Sequence, residues 1–264
     1  MKTWLQQFPA AFLFHLIVLL STVSVSLCNE NIKSVGDLIK RFENAPFSTL
    51  NANLDLNADL DFSKEGLTRP IGVRGDGSCV EFEGEINGKG HMIKNLHIET
   101  TEGSAGLFFN LKNAKILNLV IDESCSFTGD YAGALSGTAE GPLTLINVTN
   151  NAKITGLSQA GGFIGIFDGL EDGRQSTLNN CVNNGLVNVS TQGEAGGFIG
   201  SITRIKKGVT FSNCQNNGTI QGRGVAGGFV GFIGDSSGQI RFSNCVNKGT
   251  VRDAFGDIGP PLLF

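Results

Sequence analysis

The sequence contains few charged side chains: Asp, Glu, Lys and Arg make up 17% of its 264 residues, and the formal net charge is −4. A nucleic-acid-binding protein needs a clustered basic surface, so the composition argues against a nucleic-acid partner. Proline is also scarce at 6 residues, and the 37 glycines do not recur at every third position. This spacing excludes a collagen-like triple helix.

Closely spaced metal ligands are missing as well. The six cysteines include no C-x2-C pair, and the chain has only three histidines. Structural zinc sites usually contain such pairs, so the sequence predicts neither a metal nor a cofactor. After residue 28, no apolar run approaches the roughly 20 residues that a membrane-spanning helix needs. We therefore expect no membrane contact beyond the N-terminal segment.

The first 28 residues have the features of a targeting signal. Lys2 gives a positive start, the apolar run Ala10–Val25 follows, and small residues precede Cys28. This order predicts a secretory signal peptide over residues 1–28 and a secreted or cell-surface location. The alternative is an uncleaved N-terminal membrane anchor, which needs about 20 apolar residues.

Repeated segments occupy most of the remaining chain. An asparagine that follows Ile, Leu or Phe by two residues, and precedes an apolar residue or Cys, recurs six times at intervals of roughly 20–35 residues. If the copies stack strand on strand, these side chains form a buried hydrogen-bonded ladder with a spacing of about 4.7–4.9 Å. The predicted ladder consists of Asn95, Asn118, Asn147, Asn180, Asn213 and Asn244.

A cysteine follows the asparagine in the last three copies, at Cys181, Cys214 and Cys245. The same position carries Leu or Val in the first three copies, and an aliphatic side chain cannot replace a metal ligand. Free cysteine packs as a small hydrophobe, so we predict a column of reduced, buried thiols. Disulfide bonds are the alternative, although the odd number of cysteines after residue 28 leaves at least one unpaired or paired between chains.

A glycine-phenylalanine motif supplies a second apolar column. The motif AGGFIG begins at Ala160 and at Ala195, and AGGFVG begins at Ala226. Its central position is always large and apolar, and the earlier copies align Phe108 and Leu135 with it. The predicted core column is therefore Phe163, Phe198 and Phe229.

A repeat of this length with short strands is typical of a solenoid or a propeller. Each copy offers about three short strands, too few for a propeller blade. The sequence therefore predicts an all-β fold, a parallel β-helix with about three strands per coil over residues 82–258. Residues 29–81 are predicted to form an N-terminal amphipathic helix and cap strands, and residues 259–264 a C-terminal tail. The helix is expected between Ser34 and Pro46, because Val35, Leu38 and Phe42 share one face.

Several segments resemble the GLUG-motif family of β-helix proteins. They are RPIGV (Arg69–Val73), FEGEINGKGHMIKNLHI (Phe82–Ile98) and the AGGFVG and NC repeats that follow. The resemblance spans residues 32–258. It implies an exported or surface-displayed β-helix of the kind found in adhesin-like or protease-associated proteins. The family motif carries no catalytic residues, so the resemblance implies none here.

Three N-glycosylation sequons accompany the predicted signal peptide, at Asn147, Asn188 and Asn217. Asn147 falls in the predicted buried ladder, so we expect it to carry no glycan. Asn217 aligns with Asn184 and Lys248 in a turn, which indicates exposure, and strand alternation points Asn188 outward. We therefore predict glycans on Asn188 and Asn217.

The sequence favours a non-catalytic secreted or surface-displayed protein that acts in adhesion, in glycan or protein binding, or as a structural spacer. Its partners would be glycans or extracellular proteins. The alternative is a glycan-active polysaccharide lyase or hydrolase, which needs clustered carboxylates. The candidates for such a site are Asp168, Glu171 and Asp172 with Arg174, the isolated Glu194 and Asp235, and the possible bases His91 and His97.

Overall fold

The computed structural model describes residues 29–169, 174–235, 237–253 and 256–257. Over these residues the chain forms an all-β parallel solenoid of about six turns. Strands from successive turns stack side by side into four sheets, and the apolar side chains fill the space that the sheets enclose. The predicted signal peptide lies outside the described residues.

The helix α1 spans Val35–Glu43, and the strands of the first coils surround it in the sequence. The N-terminal strands are β1 (Glu30–Ile32), β2 (Thr49–Leu50), β3 (Asn53–Leu56), β4 (Leu60–Asp61), β5 (Glu81–Phe82), β6 (Glu85–Asn87), β7 (Met92–Lys94), β8 (His97–Glu99), β9 (Ser104–Ala105), β10 (Phe108–Lys112), β11 (Lys115–Leu117) and β12 (Val120–Ile121). The central strands are β13 (Ser126–Gly133), β14 (Ser136–Glu140), β15 (Thr144–Ile146), β16 (Thr149–Asn150), β17 (Lys153–Gly161), β18 (Ile164–Asp168), β19 (Ser176–Asn179), β20 (Val182–Asn183), β21 (Val187–Val189) and β22 (Glu194–Gly196). The last strands are β23 (Ile199–Thr203), β24 (Val209–Ser212), β25 (Gln215–Asn216), β26 (Ile220–Gln221), β27 (Val225–Gly227), β28 (Val230–Ile233), β29 (Ile240–Ser243), β30 (Val246–Asn247), β31 (Val251–Asp253) and β32 (Gly256–Asp257).

The four sheets follow the chain in a fixed order around each coil. The first sheet is β1-β3-β6-β11-β15-β19-β24-β29, the second is β2-β5-β10-β14-β18-β23-β28, and the third is β4-β7-β12-β16-β20-β25-β30. The fourth contains β8, β9, β13, β17, β21, β22, β26, β27, β31 and β32. All pairings between these strands are parallel except β31 with β32.

Each complete coil thus contributes to four sheets, one more than the expected three strands. The segment from Val209 to Gln221, for example, forms three strands, namely β24, β25 and β26. Asn213 has a φ of 54° between β24 and β25. Asn tolerates this left-handed conformation better than most residues, and the turn there directs the chain into a new sheet.

The phenylalanine column lies in the core. Phe163, Phe198 and Phe229 are 0%, 0% and 3% exposed, and successive ring centroids lie 5.0 and 4.9 Å apart. The alignment of Phe108 with this column is wrong, because β10 pairs with β14 so that Phe108 lies opposite Ser136. The earlier motif is one residue shorter, which moves Phe108 into the neighbouring column while keeping it buried.

Helix α1 packs against the start of the solenoid. Its N-cap is Ser34, whose Oγ accepts a hydrogen bond from the backbone N–H of Asp37 at 3.1 Å. The ring of Phe42 lies 5.9 Å from that of Phe82 and 5.6 Å from that of Phe108. The helix therefore covers apolar surface that a solenoid end would otherwise expose to water.

Candidate functional site

The turn between the third and fourth sheets is the most regular feature of the C-terminal coils. In the sequence CVNNG (Cys181–Gly185), the cysteine and the first asparagine are buried, whereas the second asparagine is exposed. A Cβ atom added at Gly185 would lie 1.9 Å from the carbonyl oxygen of Ala152, so a larger residue does not fit. The same arrangement recurs at Cys214–Gly218 and, with Lys248 in place of the second asparagine, at Cys245–Gly249.

The first asparagine of each turn belongs to a buried ladder. Asn150 Nδ2 donates to Asn183 Oδ1 at 2.9 Å, Asn183 Nδ2 to Asn216 Oδ1 at 2.9 Å, and Asn216 Nδ2 to Asn247 Oδ1 at 2.7 Å. Each amide also donates to the backbone carbonyl two residues later, at 3.2 to 3.4 Å. These bonds join successive coils and fix each turn, which makes burial of the amides tolerable.

The AGGF motif leaves space for this ladder. A Cβ atom at Gly162 would lie 2.8 Å from Cγ of Asn183, and one at Gly197 would lie 2.8 Å from Cγ of Asn216. The second glycine of the motif therefore has a packing role, since a side chain there would displace the amide. The AGGF motif and the CVNNG turn are separated in the sequence but contact each other in the fold.

The asparagine column predicted from the repeats is a surface ladder. Asn147, Asn180, Asn213 and Asn244 are exposed, so their predicted burial is wrong. Asn147 Nδ2 donates to Asn118 Oδ1 and Asn180 Nδ2 donates to Asn147 Oδ1, each at 2.8 Å. The ladder then breaks, because Asn213 Nδ2 donates to Asn179 instead, at 3.1 Å, and resumes where Asn244 Nδ2 donates to Asn213 at 3.3 Å.

The backbone explains why this column faces water. Its members have φ values between 50° and 56°, and each lies at the corner between the first and third sheets. A left-handed residue at this corner turns the chain so that the following residue, such as Cys181, points inward. Five of the six predicted members were recognised correctly as a repeat, but their exposure to water was not predicted.

Asn95 does not belong to the column of Asn118. Because β7 pairs with β12 so that Ile93 lies opposite Ile121, Asn95 comes after the third sheet, whereas Asn118 comes before it. The left-handed residue before the third sheet in this coil is Lys89, with a φ of 50°. Asn95 and Asn118 both have a left-handed backbone, and each precedes a buried leucine. This shared feature explains why the two segments look alike in the sequence.

A polar groove follows the CVNNG turns along the outside of the solenoid. It has a volume of about 440 Å³ and crosses three successive coils. Asn184 and Asn217 form part of one wall and are joined by a hydrogen bond of 2.7 Å from Asn217 Nδ2 to Asn184 Oδ1. The lining consists of Asn184, Leu186, Asn217, Gly218, Thr219, Gln221, Thr250 and Arg252.

The chemistry of the groove is that of amides and hydroxyls, with one guanidinium. Its lining contains no carboxylate, and Lys248, the next residue in the turn column after Asn217, hydrogen-bonds Gln215 Oε1 at 3.2 Å. Amides and hydroxyls both donate and accept hydrogen bonds. This arrangement can bind a ligand rich in hydroxyl groups, but it offers no acid–base pair.

The cysteine column lies in the core as free thiols. Cys181, Cys214 and Cys245 are at most 1% exposed. Cys181 Sγ donates to the carbonyl of Leu145 at 3.5 Å, and Cys214 Sγ donates to that of Leu178 at 3.4 Å. The neighbouring Cys214 and burial raise the pKa of the Cys181 thiol. Slow reaction with alkylating agents remains a prediction.

The three sequons lie in different surroundings. Asn217 is exposed in the groove, Asn188 is half-buried, and Asn147 is exposed in the surface ladder. The expectation that Asn147 carries no glycan rested on burial and therefore loses its basis. Occupancy at Asn188 and Asn217 remains a prediction.

Among the described residues, the acidic and histidine candidates are not brought together. Asp168 lies beside Arg204, whose Nε donates to its Oδ1 at 3.0 Å, and Glu194 accepts from Gln159 Nε2 at 2.5 Å. Arg174 and Asp235 are exposed, while Glu171 and Asp172 lie outside the described residues. Within the described ranges, no three His, Cys, Asp or Glu side chains are grouped to hold a metal ion.

The two histidines make local contacts on the N-terminal coils. His91 Nδ1 lies 3.3 Å from Asp59 Oδ1, and His97 Nδ1 lies 2.9 Å from Ser126 Oγ. Neither lines the groove. The groove residues Gln221, Thr250 and Arg252 were missed in the sequence, although their alternation with the inward Ile220 and Val251 was a usable signal.

No family model matches the chain. The chain is 32% identical to halomucin from Haloquadratum walsbyi over 164 residues, which cover 60% of this chain and 2% of halomucin. Because no family model matches, the resemblance to the GLUG-motif family stays a prediction. The chain spans only a small part of the length of halomucin.

A solved structure supports the fold. The crystal structure of a candidate immunoglobulin A1 protease from Bacteroides ovatus superimposes with a TM-score of 0.67 and 19% sequence identity. The match covers 88% of this chain and 79% of that one. At this identity the likeness concerns the fold alone. In the part of the chain that the structure describes, no helix has the length and apolar character needed to cross a bilayer.

Proposed function

We propose that this chain is an exported, non-catalytic β-solenoid that binds a carbohydrate chain in the groove beside the CVNNG turns. The observation that carries the proposal is the lining of that groove, in which amide and hydroxyl side chains recur from coil to coil and no carboxylate is present. Sugar hydroxyls both donate and accept hydrogen bonds, as these side chains do.

The repeat gives the groove a regular spacing. Equivalent residues of neighbouring coils lie about 4.8 Å apart, so an extended ligand would meet similar polar groups at each step. Solenoid surfaces suit extended ligands for this reason. Each hydrogen bond adds only about 1 kcal/mol net, so useful affinity requires several coils to act together.

Two further observations support export. The N-terminal 28 residues have the order of a secretory signal. Halomucin, which is similar over 60% of this chain, is a cell-surface protein. A role in adhesion at a cell surface fits both observations and is part of the proposal.

Gel electrophoresis of the purified full chain through polysaccharide-containing gels tests the proposal. Mucin, polygalacturonate, xylan and a mixed-linkage β-glucan are suitable probes. We expect at least one of them to retard the protein. The double variant Gln221→Ala/Thr250→Ala should weaken retardation about tenfold or more, since two hydrogen bonds are lost.

The matched control is Thr177→Ala/Thr210→Ala, which removes two hydroxyls from the outer face of the first sheet. The control should bind as the unchanged protein does. Absence of retardation by every probe, or equal loss in both double variants, would count against the groove.

We also propose that the chain does not cleave its ligand. Two observations support this: the lining of the groove contains no carboxylate, and the Asp168 carboxylate is paired with Arg204. Incubation of each polysaccharide with the protein should release no new reducing ends or unsaturated products. Product release that disappears in Asp168→Asn would establish the enzymatic alternative.

A further inference from the structure

The groove contains one complete glycosylation sequon. Its three equivalent turn segments are Asn184–Leu186 (NGL), Asn217–Thr219 (NGT) and Lys248–Thr250 (KGT). The first lacks the hydroxyl residue and the last lacks the asparagine, so only the middle segment fits the acceptor pattern. Carbohydrate on this sequon would start at the centre of the groove.

The side chain of Asn217 is exposed and can accept such a group without loss of its contacts. One hydrogen of Nδ2 is used in the 2.7 Å bond to Asn184 Oδ1, and Asn217 Oδ1 accepts a bond from Gln215 Nε2. An N-linked sugar replaces one of the two hydrogens on Nδ2. The remaining hydrogen can maintain the bond to Asn184, which holds the first sugar beside the groove wall.

We propose that Asn217 is an N-glycosylation site whose carbohydrate occupies the groove and regulates access to it. The inference rests on the proposed function, because it assigns regulation to the same groove. In the modification, Asn217 Nδ2 attacks C1 of a lipid-linked oligosaccharide. The N–C bond forms, the bond from C1 to the lipid pyrophosphate breaks, and Nδ2 loses one proton to a base.

The attached carbohydrate would compete with a free ligand for the same polar groups. Thr219, Gln221 and Thr250 line the groove beside Asn217 and can bond to the attached sugars. A covalently held sugar is present at a high effective concentration, so it excludes a weak external ligand. The sequon at Asn188 provides a comparison, because Asn188 does not line the groove.

Access to the groove can be measured without knowledge of the ligand. The full chain is secreted from a glycosylating eukaryotic host with Thr250→Cys as a reporter and Cys79→Ser to remove the half-buried thiol. A polyethylene-glycol maleimide then reports how fast a large reagent reaches the groove. Lys115→Cys, on the exposed side of the first sheet, gives the matched control for reagent and host.

With Asn217 occupied, we expect the reporter in the groove to react at least tenfold more slowly than in the same protein carrying Asn217→Gln. Thr219→Val should give the same acceleration, because it also removes the sequon. Ser190→Ala, which removes the Asn188 sequon, should change the rate less than Asn217→Gln does, because Asn188 pairs with Gln221 but does not itself line the groove. The Lys115→Cys reporter should react equally in all forms.

Each remaining outcome is decisive. An intact glycopeptide map with no carbohydrate on Asn217 overturns the inference, and so do equal reporter rates in the occupied and sequon-free proteins. Retardation in polysaccharide gels separates the two proposals. Equal retardation of both forms overturns the inference and leaves the proposed function intact. Shielding of the reporter without retardation of either form contradicts the proposed function and supports the glycan in the groove.

Discussion

The N-terminal and C-terminal halves of the solenoid fill the same inward column of the third sheet with different kinds of side chain. One inward column runs along the third sheet, and strand pairing fixes its members. All are buried, with at most 4% of the side chain exposed. The column reads Leu60, Ile93 and Ile121 in the first half and then Asn150, Asn183, Asn216 and Asn247 in the second.

The difference shows that a buried position can be filled by hydrocarbon or by amide, provided that the amide has neighbours of its own kind. A buried Ile contributes about 1.5–3 kcal/mol through removal of apolar surface from water. A buried Asn would lose that contribution and needs hydrogen bonds to compensate. The ladder supplies these hydrogen bonds. Its bonds to the turn carbonyls also hold each CVNNG turn beside the groove in the same conformation.

The sharpest test of this comparison is to place an asparagine in the aliphatic half. Ile93 lies between Leu60 and Ile121, so Ile93→Asn introduces an amide with no ladder partner. We expect a loss of about 4 kcal/mol in the free energy of unfolding, measured by urea denaturation. Ile121→Asn should cost about half as much, because Asn150 Oδ1 lies in the next coil and can accept a bond from the introduced amide. Equal losses would show that ladder neighbours do not matter.

A smaller effect comes from changing one amide within the ladder. Asn216 Nδ2 donates to Asn247 Oδ1 and to the carbonyl of Gly218. Asn216→Asp puts an oxygen in place of this nitrogen, so both hydrogen bonds are lost. We expect a loss of about 3 kcal/mol near neutral pH. The buried carboxyl has a raised pKa in the folded state, so the loss should shrink as the pH falls from that pKa to about 4, the unfolded value, and change little at lower pH.

The control for that change is the next residue. Asn217→Asp makes the same chemical change on the exposed side of the wall, where water can solvate the carboxylate. It should cost less than about 1 kcal/mol. A comparable loss at both positions, or a loss at Asn216 that does not depend on pH, would contradict the buried ladder as the source of stability.

The smallest expected effect concerns a thiol in the N-terminal half. Burial raises the pKa of Cys125 to about 11, whereas an unfolded cysteine titrates near 8.5. Between these two pKa values the unfolded thiol has lost its proton while the folded thiol keeps it. The free energy of unfolding should therefore decline as the pH rises from about 9 to about 11. Cys125→Ala should remove that part of the decline, since Ala152 fills the equivalent position in the next coil. An unchanged slope in thermal unfolding against pH would show that Cys125 is not its source.

The sequence by itself determined the solenoid, its repeat and most of its apolar columns. Large side chains recur with the period of the coil, and only an inward position accepts Leu, Val and Cys in turn, as the column of Leu119, Val148 and Cys181 does. The amphipathic pattern from Val35 to Phe42 likewise identified the helix. These features follow from the hydrophobic pattern, which a single sequence displays directly.

Tertiary structure alone decided which asparagines face inward and where a groove lies. Asn180 and Asn183 are the same residue type three positions apart, yet one is exposed and the other is completely buried. An amide is stable in either place when it is hydrogen-bonded, so its identity does not reveal its side. The left-handed φ at Asn180 and the space left by Gly162 fix the choice, and both depend on chain segments that meet only after folding.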